Sequence, residues 1–248
     1  PDGTRATVGI PKSGRTVRSV LLGKRPAEQA SDKRTEDSLF VYYHGIRPGE
    51  YEIRAAYSGK LRRASKEPFR YACPQPAVQD STTRGDWPGQ YGSKGYVFCR
   101  YEPDGSHRIR LPEFTDSIRF AKTGGLHIAT RTDDRRAPVS EDGSGTRNAG
   151  TVVTLDPAPC NQTMTVDIRN KHDGPYRLAL YFVDWEKTGR RSAVEVFDLD
   201  DKRLLMPVQI VRDYREGRYV VLSLEGSVRL RINQVRGTNA SLCALFFD

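Results

Sequence analysis

The residues best suited to binding chemistry lie in the segment Leu180-Tyr-Phe-Val-Asp-Trp185 and in the polar residues that follow it. Asp184 stands next to Trp185, and Arg190 follows after a short polar stretch. Flat aromatic side chains stack on the apolar faces of sugar rings, while Asp and Arg side chains hydrogen-bond to the hydroxyls. The segment therefore indicates a carbohydrate-binding loop. The alternative, which we favour for Asp184, is a buried ion pair that holds this loop against the turn containing Trp87.

Two further segments carry residues of the same types. The glycine-rich segment 80–96 contains Trp87 and Tyr91, and the polar segment 133–149 contains Arg135. Loops gathered at one end of a β-sandwich often contact ligands, because the sheets hold them rigidly. We therefore predict a carbohydrate site at such an end, with burial in the core as the alternative for each tryptophan. Its residues are Trp87, Tyr91, Arg135, Asp184, Trp185 and Arg190.

Other kinds of site have weaker signals. The sequence has no nucleophile elbow, no phosphate-binding glycine loop and no closely spaced metal-ligand pair among its histidines, which are His44, His107, His127 and His172. We expect no cofactor. The acidic turn with Asp198, Asp200 and Asp201 is interpreted as a plain loop, with Ca²⁺ binding as the alternative because only oxygen ligands are present. Glycoside hydrolysis needs two carboxyl groups close in space, and no pair stands out in the sequence.

The charge balance gives little evidence for nucleic acid as a partner. The 248 residues include 40 Lys and Arg against 31 Asp and Glu, a net charge of +9. The arginines are scattered along the chain and form no block or helix stripe, whereas a nucleic-acid site groups them on one face. No apolar run approaches the ~20 residues of a membrane span. The cysteines are Cys73, Cys99, Cys160 and Cys243. Cys99 and Cys243 lie in apolar runs typical of buried free thiols, and the pairing of a loop disulfide cannot be deduced from spacing.

Positioning such loops requires a rigid scaffold, and the sequence predicts an all-β one. The chain has 22 Gly and 15 Pro, and no amphipathic helical pattern of three or more turns. Short strand-like runs recur between turn signals, as in a jelly-roll β-sandwich. The residues 176–184 alternate between two apolar faces, as in a strand buried on both sides, and we expect them to form a hairpin with 192–198. The predicted strands are 97–101, 117–121, 127–130, 150–155, 164–169, 176–184, 192–198, 208–211, 219–224, 227–232 and 240–246.

The N-terminal part reads as a separate, incomplete β-sandwich. Strand-forming runs occur at 5–10, 16–21, 38–43 and 49–54, and the polar residues 24–37 between them predict a long surface loop. Four strands are too few to bury a good core alone. Residues 58–76 have no periodicity and several prolines, which is typical of a linker. We therefore predict a partial sandwich at 1–57, a linker at 58–76 and a complete sandwich at 77–248.

Motifs in the second domain resemble an all-β accessory module found at the C-terminal ends of large bacterial polysaccharide-degrading enzymes. They are spread over the whole domain: the string from Asp80 to Tyr96, then Leu180-Tyr-Phe-Val-Asp-Trp185, Gly189-Arg190, Gly217-Arg-Tyr219, Gly237-Thr-Asn-Ala240 and Leu245-Phe-Phe247. The resemblance implies a β-sandwich that binds a polysaccharide or oligosaccharide, or that packs against a catalytic domain.

The N-terminal part resembles the end of the C-terminal β-sandwich of inverting α-L-rhamnosidases. The matching segments are Val8-Gly-Ile-Pro11, Val20-Leu-Leu-Gly-Lys24 and Pro48-Gly-Glu-Tyr-Glu-Ile53. This resemblance implies a catalytic domain upstream in the same protein. It leads us to expect a non-catalytic accessory region of a secreted or cell-surface bacterial glycoside hydrolase, without nucleic-acid or membrane partners. The alternatives are a hydrolase or lyase with its own site in a sandwich cleft, and a purely structural interdomain module.

Overall fold

The structure, a computed structural model, describes residues 5–11, 19–22, 24–26, 29–34, 38–44, 49–56, 61–63, 69–71, 77–155 and 162–248. These residues form strands, turns and bends, and none of them is helical. They include no helix long and apolar enough to cross a membrane. The chain divides into two compact units, Pro1–Cys73 and Pro74–Asp248. The all-β prediction is confirmed.

The first unit consists of short antiparallel sheets. One sheet has the strand order β1-β5-β4, a second has the order β3-β2-β7-β8, and a third pairs β6 with β9. The strands are β1 (Arg5–Pro11), β2 (Ser19–Leu22), β3 (Arg25–Pro26), β4 (Gln29–Arg34), β5 (Ser38–His44), β6 (Gly49–Tyr51), β7 (Ile53–Ala56), β8 (Leu61–Arg63) and β9 (Phe69–Tyr71).

The first unit differs from the sequence prediction in two places. Strands β3 and β4 lie inside the predicted loop 24–37 and pair with β2 and β5, so that loop is shorter than expected. Strands β8 and β9 lie inside the predicted linker 58–76 and pair with β7 and β6. All four strands lie at sheet edges, where a strand needs a backbone partner on one side only and no apolar alternation. A search for alternating apolar residues therefore misses them.

The second unit contains three antiparallel sheets. A six-stranded sheet has the order β10-β20-β17-β23-β11-β12, a five-stranded sheet has the order β13-β16-β21-β18-β19, and a smaller one has the order β14-β15-β22. The strands are β10 (Val78–Asp80), β11 (Gly95–Phe98), β12 (Arg108–Arg110), β13 (Thr115–Ala121), β14 (Thr123–Ala129), β15 (Ala149–Thr154), β16 (Thr163–Asn170), β17 (Pro175–Phe182), β18 (Arg191–Asp198), β19 (Gln209–Val211), β20 (Arg218–Glu225), β21 (Val228–Arg236), β22 (Ser241–Leu242) and β23 (Ala244–Phe247).

Strand β17 lies at the centre of the six-stranded sheet and is buried on both faces. One face presents Leu178, Leu180 and Phe182 to a core shared with the five-stranded sheet. The other face presents Ala179 and Tyr181 to a second, aromatic core beneath the loops. The predicted two-sided burial of this strand is therefore confirmed. The unit is a β-sandwich of jelly-roll type, in which consecutive strands such as β16, β17 and β18 alternate between the sheets.

The predicted hairpin between 176–184 and 192–198 is wrong. Strand β17 pairs with β20 and β23, whereas β18 pairs with β19 and β21 in the opposite sheet. Both strands direct an apolar face into the core between the two sheets. The strands of a hairpin would lie side by side in one sheet, whereas β17 and β18 approach this core from opposite sheets. Residues 183–190 therefore cross from one sheet to the other at the edge of the sandwich.

The two described cysteines are structural. Cys99 and Cys243 are free and buried, and the backbone amide of Cys99 donates a hydrogen bond to the carbonyl of Cys243 at 2.9 Å. Burial raises the pKa of Cys243 to about 11, so this thiol stays protonated and unreactive near neutral pH. The prediction of buried free thiols is confirmed for this pair. Cys73 and Cys160 lie outside the described residues.

Two histidines lie within hydrogen-bonding distance of the backbone of Arg100. The φ angle of Arg100, 53°, is rare for a residue with a side chain. The Arg100 amide donates to Nδ1 of His107 at 3.0 Å, and the Arg100 carbonyl lies 3.1 Å from Nδ1 of His127. The His107 ring also stacks on Phe120 with centroids 5.0 Å apart. Burial, together with the charge of Arg100, lowers the pKa of His107. The fold therefore requires the neutral ring.

We expect the second unit to lose stability as the pH falls from 7.5 to 5.5. Because the folded-state pKa of His107 is below its ordinary value of 6.5, the unfolded chain binds the proton more readily in this window. Melting temperatures measured across the window should fall in the wild type and change less in His107→Asn, which retains an acceptor. The exposed His172 provides the control. A His172→Asn variant that flattened the profile equally would contradict the assignment.

Candidate functional site

Three loops meet at one end of the second unit, and we call residues 81–94, 130–148 and 183–190 the loop cluster. The first two loops are joined by Trp87, whose Nε1 donates to the carbonyl of Val139 at 2.8 Å, and by Asp86, which pairs with Arg135 at 3.0 Å. The third loop joins through Arg136, as described below. The three loops of the predicted site therefore belong to one cluster.

Asp184 organises the crossing between the sheets. Its side chain is only 1% exposed and accepts the backbone amides of Gly189 and Arg190 at 2.7 and 3.1 Å. It also accepts both the amide and the hydroxyl of Thr188. These hydrogen bonds and the Arg190 guanidinium lower the pKa of Asp184 against the opposing effect of burial. The carboxylate is thus a buried anion that holds the backbone of residues 188–190 in place.

Arg190 is the ion-pair partner of Asp184 in this crossing. Its guanidinium is 5% exposed, donates from Nη1 to Asp184 at 2.6 Å, and also pairs with Glu186. It reaches the turn before β22 through Nε to Asn239 at 2.9 Å and through Nη2 to Thr238 at 3.2 Å. All of its nitrogen donors face protein acceptors. The expected buried ion pair is therefore present, but it holds the loop against the turn with Thr238 and Asn239 and not against the turn containing Trp87. A sugar hydroxyl has no access to Asp184 or Arg190.

Trp87 is a core residue. Its side chain is 5% exposed and contacts Tyr96, Phe98 and Phe246, with ring centroids 5.2–5.6 Å apart. Gly92, at a φ of 76°, lies directly against the indole, where a Cβ atom would come within 3.0 Å of it. The glycine-rich turn therefore folds tightly over the tryptophan. Trp87 offers no face to a ligand.

Tyr91 is only partly buried and ends a stack of three tyrosines. Its ring lies 4.4 Å from that of Tyr219, which lies 4.4 Å from that of Tyr181. Its hydroxyl donates to Asp80 at 2.9 Å, and burial together with this acceptor raises its pKa. The hydroxyl is therefore committed to Asp80, and the ring is the part of Tyr91 that remains for a ligand.

Trp185 and Arg136 lie together where the second and third loops meet. Trp185 is partly exposed, and the Arg136 guanidinium lies 5.0 Å from the ring centroid. Arg136 is held by Asp134 at 2.6 Å and donates to the Arg215 carbonyl at 3.0 Å. The Tyr181 hydroxyl in turn donates to the carbonyl of Arg136 at 2.8 Å. A cation is thus fixed over the indole by contacts to the rest of the loop cluster.

Arg135 is the most exposed of the predicted site residues, with 70% of its side chain accessible. It shares Asp86 with Arg147, whose guanidinium is largely covered. Arg135 can leave Asp86 at little cost, because an exposed ion pair contributes roughly 0–1 kcal/mol. Of the six predicted residues, the structure leaves Tyr91, Arg135 and Trp185 accessible and buries Trp87, Asp184 and Arg190.

Sequence reasoning did not select Arg136 for the site. The segment 131–147 contains Arg131, Arg135, Arg136 and Arg147 in similar polar surroundings, and nothing in their spacing separates one from another. Only the crossing of 183–190 between the sheets brings Trp185 against Arg136. A hairpin, as predicted, would have placed the indole elsewhere.

Four carboxylates of the loop cluster are unsuited to general acid catalysis. Each of four groups is paired with an arginine, and each has a lowered pKa; they are Asp86, Asp134, Asp184 and Glu186. A general acid needs a raised pKa to hold its proton at neutral pH. These four groups therefore stay ionised near neutral pH, and none of them suits the role of general acid.

The described residues contain no group of three or more His, Cys, Asp or Glu side chains arranged to hold a metal ion. In the acidic turn, Asp198 accepts the amides of Asp200 and Asp201, and Asp200 pairs with Arg169 at 3.1 Å. The carboxylates point to separate partners. The turn gives no support to the Ca²⁺ alternative.

Comparison with known proteins gives only distant structural similarities. No protein-family model matches the chain, and no curated protein matches its sequence. Among solved structures, a family 35 carbohydrate binding module from Clostridium thermocellum matches with a TM-score of 0.29 and 10% identity over 53% of this chain and 98% of that one. A carbohydrate binding module from Cellvibrio mixtus lichenase 5A, in complex with cellotriose, matches at 0.32 and 8% over 62% and 96%. An exo-β-1,3-galactanase from Phanerochaete chrysosporium matches at 0.30 and 12% over 93% and 43%. Identities and scores this low carry no information about the function of this chain.

Proposed function

We propose that the second unit binds a polysaccharide or oligosaccharide at the loop cluster. The observation that carries the proposal is the position of Trp185 at the end of a β-sandwich: its indole packs against the edge of the aromatic core, has the Arg136 guanidinium over one face and stays partly exposed. Indole rings stack on sugars, and exposed cations such as Arg135 hydrogen-bond to hydroxyls. Tyr91 is the second accessible aromatic ring of the loop cluster. The buried Asp184 and Arg190 serve to hold the third loop in place.

The site is built for weak binding. Each aromatic contact contributes on the order of 1 kcal/mol, and few such contacts are present. A total of a few kcal/mol corresponds to a dissociation constant of about 0.1 to 1 mM. Affinity of this order suits a module that keeps an enzyme near an insoluble or repetitive substrate, where several weak contacts act together.

We further propose that the chain is a non-catalytic accessory region of a secreted or cell-surface bacterial glycoside hydrolase of α-L-rhamnosidase type. The motifs of the first 57 residues and of the second unit support this origin, as does the paired state of the loop-cluster carboxylates. The corresponding organisation is a first all-β unit, Pro1–Cys73, followed by a binding module, Pro74–Asp248. In this proposal, the upstream catalytic domain is a partner of the chain.

The binding proposal predicts that Trp185→Ala and Tyr91→Ala each weaken glycan retention by about tenfold, the effect of losing roughly 1.4 kcal/mol. Retention is measured by affinity electrophoresis in gels that contain a neutral rhamnose-, galactose- or xylose-based polysaccharide. Both rings are partly exposed, so the melting temperatures of the variants should stay near that of the wild type.

Phe197→Ala provides the matched control. This ring is also partly exposed and lies beneath an arginine, with Arg231 at 5.2 Å, but it is on the five-stranded sheet and outside the loop cluster. The control should keep wild-type retention. A large fall in melting temperature for both Trp185→Ala and Tyr91→Ala would assign the two rings to the core and leave the proposed site without a binding surface.

A further inference from the structure

The outer face of the five-stranded sheet carries a second concave surface, away from the loop cluster. It is a cleft of about 380 Å³, near the lower end of the range of ~300–1,000 Å³ typical of small-molecule sites. We call it the sheet cleft. Its lining residues are Ser117, Arg119, Asp167, Arg169, Leu199, Asp200, Lys202 and Arg229.

The strand register explains why these side chains face one another. Arg119 of β13 stands opposite Asp167 of β16, which stands opposite Arg229 of β21. Ser117 stands opposite Arg169 in the same way. Since alternate residues of a strand point to the same face, these polar side chains share the outer face, while Val166, Ile168 and their neighbours fill the core. The turn after β18 closes one side with Leu199, Asp200 and Lys202.

The sheet cleft has more positive than negative charge. It is lined by four cationic side chains and two carboxylates. Asp167 is held by Arg229 in a bidentate pair at 2.6 and 2.7 Å, and Asp200 pairs with Arg169. Lys202 donates to the Leu199 carbonyl, and among the described residues no carboxylate lies within ion-pair distance of Lys202 or Arg119. Two cations therefore remain for an anion from solution.

We infer that the sheet cleft binds an anionic sugar residue, with the carboxylate or sulfate of the sugar held by Arg119 and Lys202. Guanidinium and ammonium groups bind such anions with charge-assisted hydrogen bonds. The hydroxyls of the same sugar find acceptors in Asp200 and in the Ser117 side chain. This site is distinct from the loop cluster, whose proposed ligand is neutral.

A polysaccharide fits the sheet cleft better than a nucleic acid does. The two carboxylates can accept hydrogen bonds from sugar hydroxyls, which the phosphodiester backbone of single-stranded DNA does not carry. Single-stranded nucleic acids bind through aromatic rings on which bases stack, and the described residues that line the cleft include no aromatic one.

The test compares retention of the full chain by polygalacturonate, which carries carboxylates, by dextran sulfate, and by the fully methyl-esterified form of polygalacturonate, which has the same backbone without charge. We expect at least one anionic polymer to retain the protein about tenfold more strongly than the ester, with weaker retention as salt rises from about 50 to about 500 mM. The polymer that retains the protein identifies the anion.

Two double variants, each of which removes two positive charges, test whether retention by anionic polymers depends on the sheet cleft. Arg119→Gln with Lys202→Gln should reduce anionic retention about tenfold. Arg212→Gln with Arg236→Gln removes two exposed cations that line neither the cleft nor the loop cluster and should leave retention unchanged. Equal losses in the two double variants, equal retention by the neutral ester, or equally strong retention by single-stranded DNA would overturn the inference. Trp185→Ala should not affect anionic retention, so failure of the loop-cluster proposal can be recognised separately.

Discussion

Replacing Asp184 with alanine is expected to lower the free energy of unfolding of the second unit by about 3–5 kcal/mol, the usual cost of breaking a buried ion pair by removing one partner. The Arg190 guanidinium, which is 5% exposed, would lose its buried carboxylate partner. The amides of Gly189 and Arg190 would lose their acceptor in the same change. Glu186 remains beside Arg190, but it is exposed and cannot replace these backbone contacts. Urea unfolding followed by fluorescence measures the change.

The control for this variant is Asp201→Ala. Asp201 pairs with Arg203 at 3.4 Å, and both side chains are more than half exposed, so we expect a change within about 0.5 kcal/mol. Adding Arg190→Met to Asp184→Ala removes the unpaired cation and should restore part of the lost stability. Wild-type stability in Asp184→Ala, together with loss of glycan retention, would instead make this carboxylate a ligand group.

The strands of the second unit were largely predictable because most of them bury an apolar face. The alternation in 163–170 and 228–236 reflects one face in the core and one in solvent. Strands β10 and β12 were missed, and they are the two edges of the six-stranded sheet. The pairing of β17 was not predictable either. Two apolar strands joined by a polar loop can form a hairpin or face each other across a core, and the local sequence is the same in both cases.

The site was harder to predict than the fold, because residue type does not reveal burial. Trp87, Asp184 and Arg190 have the chemistry of a sugar site, yet they lie in the interior. The motif residues that suggested a family have structural roles. Gly217 lies against the Tyr181 hydroxyl, and the Asn239 side chain accepts a hydrogen bond from Arg190. Such motifs define how a sandwich is built and do not locate its ligand.

Trp87→Ala is the second variant for which we expect a large effect, again about 3–5 kcal/mol of lost stability. The indole fills the aromatic core between the glycine-rich turn and the six-stranded sheet, with Phe246 5.2 Å away. Its removal leaves a cavity and also leaves the Val139 carbonyl without its 2.8 Å donor. Domains of ordinary stability have about 5–15 kcal/mol in total, so the variant should be only marginally folded. Trp185, the other tryptophan, remains as the fluorescent reporter in the unfolding curve.

Trp87→Phe separates the two contributions to this loss. Phenylalanine keeps a ring in the cavity but cannot donate to Val139, so the variant should be clearly less destabilised than Trp87→Ala. Trp185→Ala is the companion variant, because its ring is partly exposed and packs only against the edge of the aromatic core. If Trp87→Ala were as stable as Trp185→Ala, the aromatic layer would not be a core. The glycine-rich turn would then be free to present Trp87 to a sugar, as its residue type alone suggested.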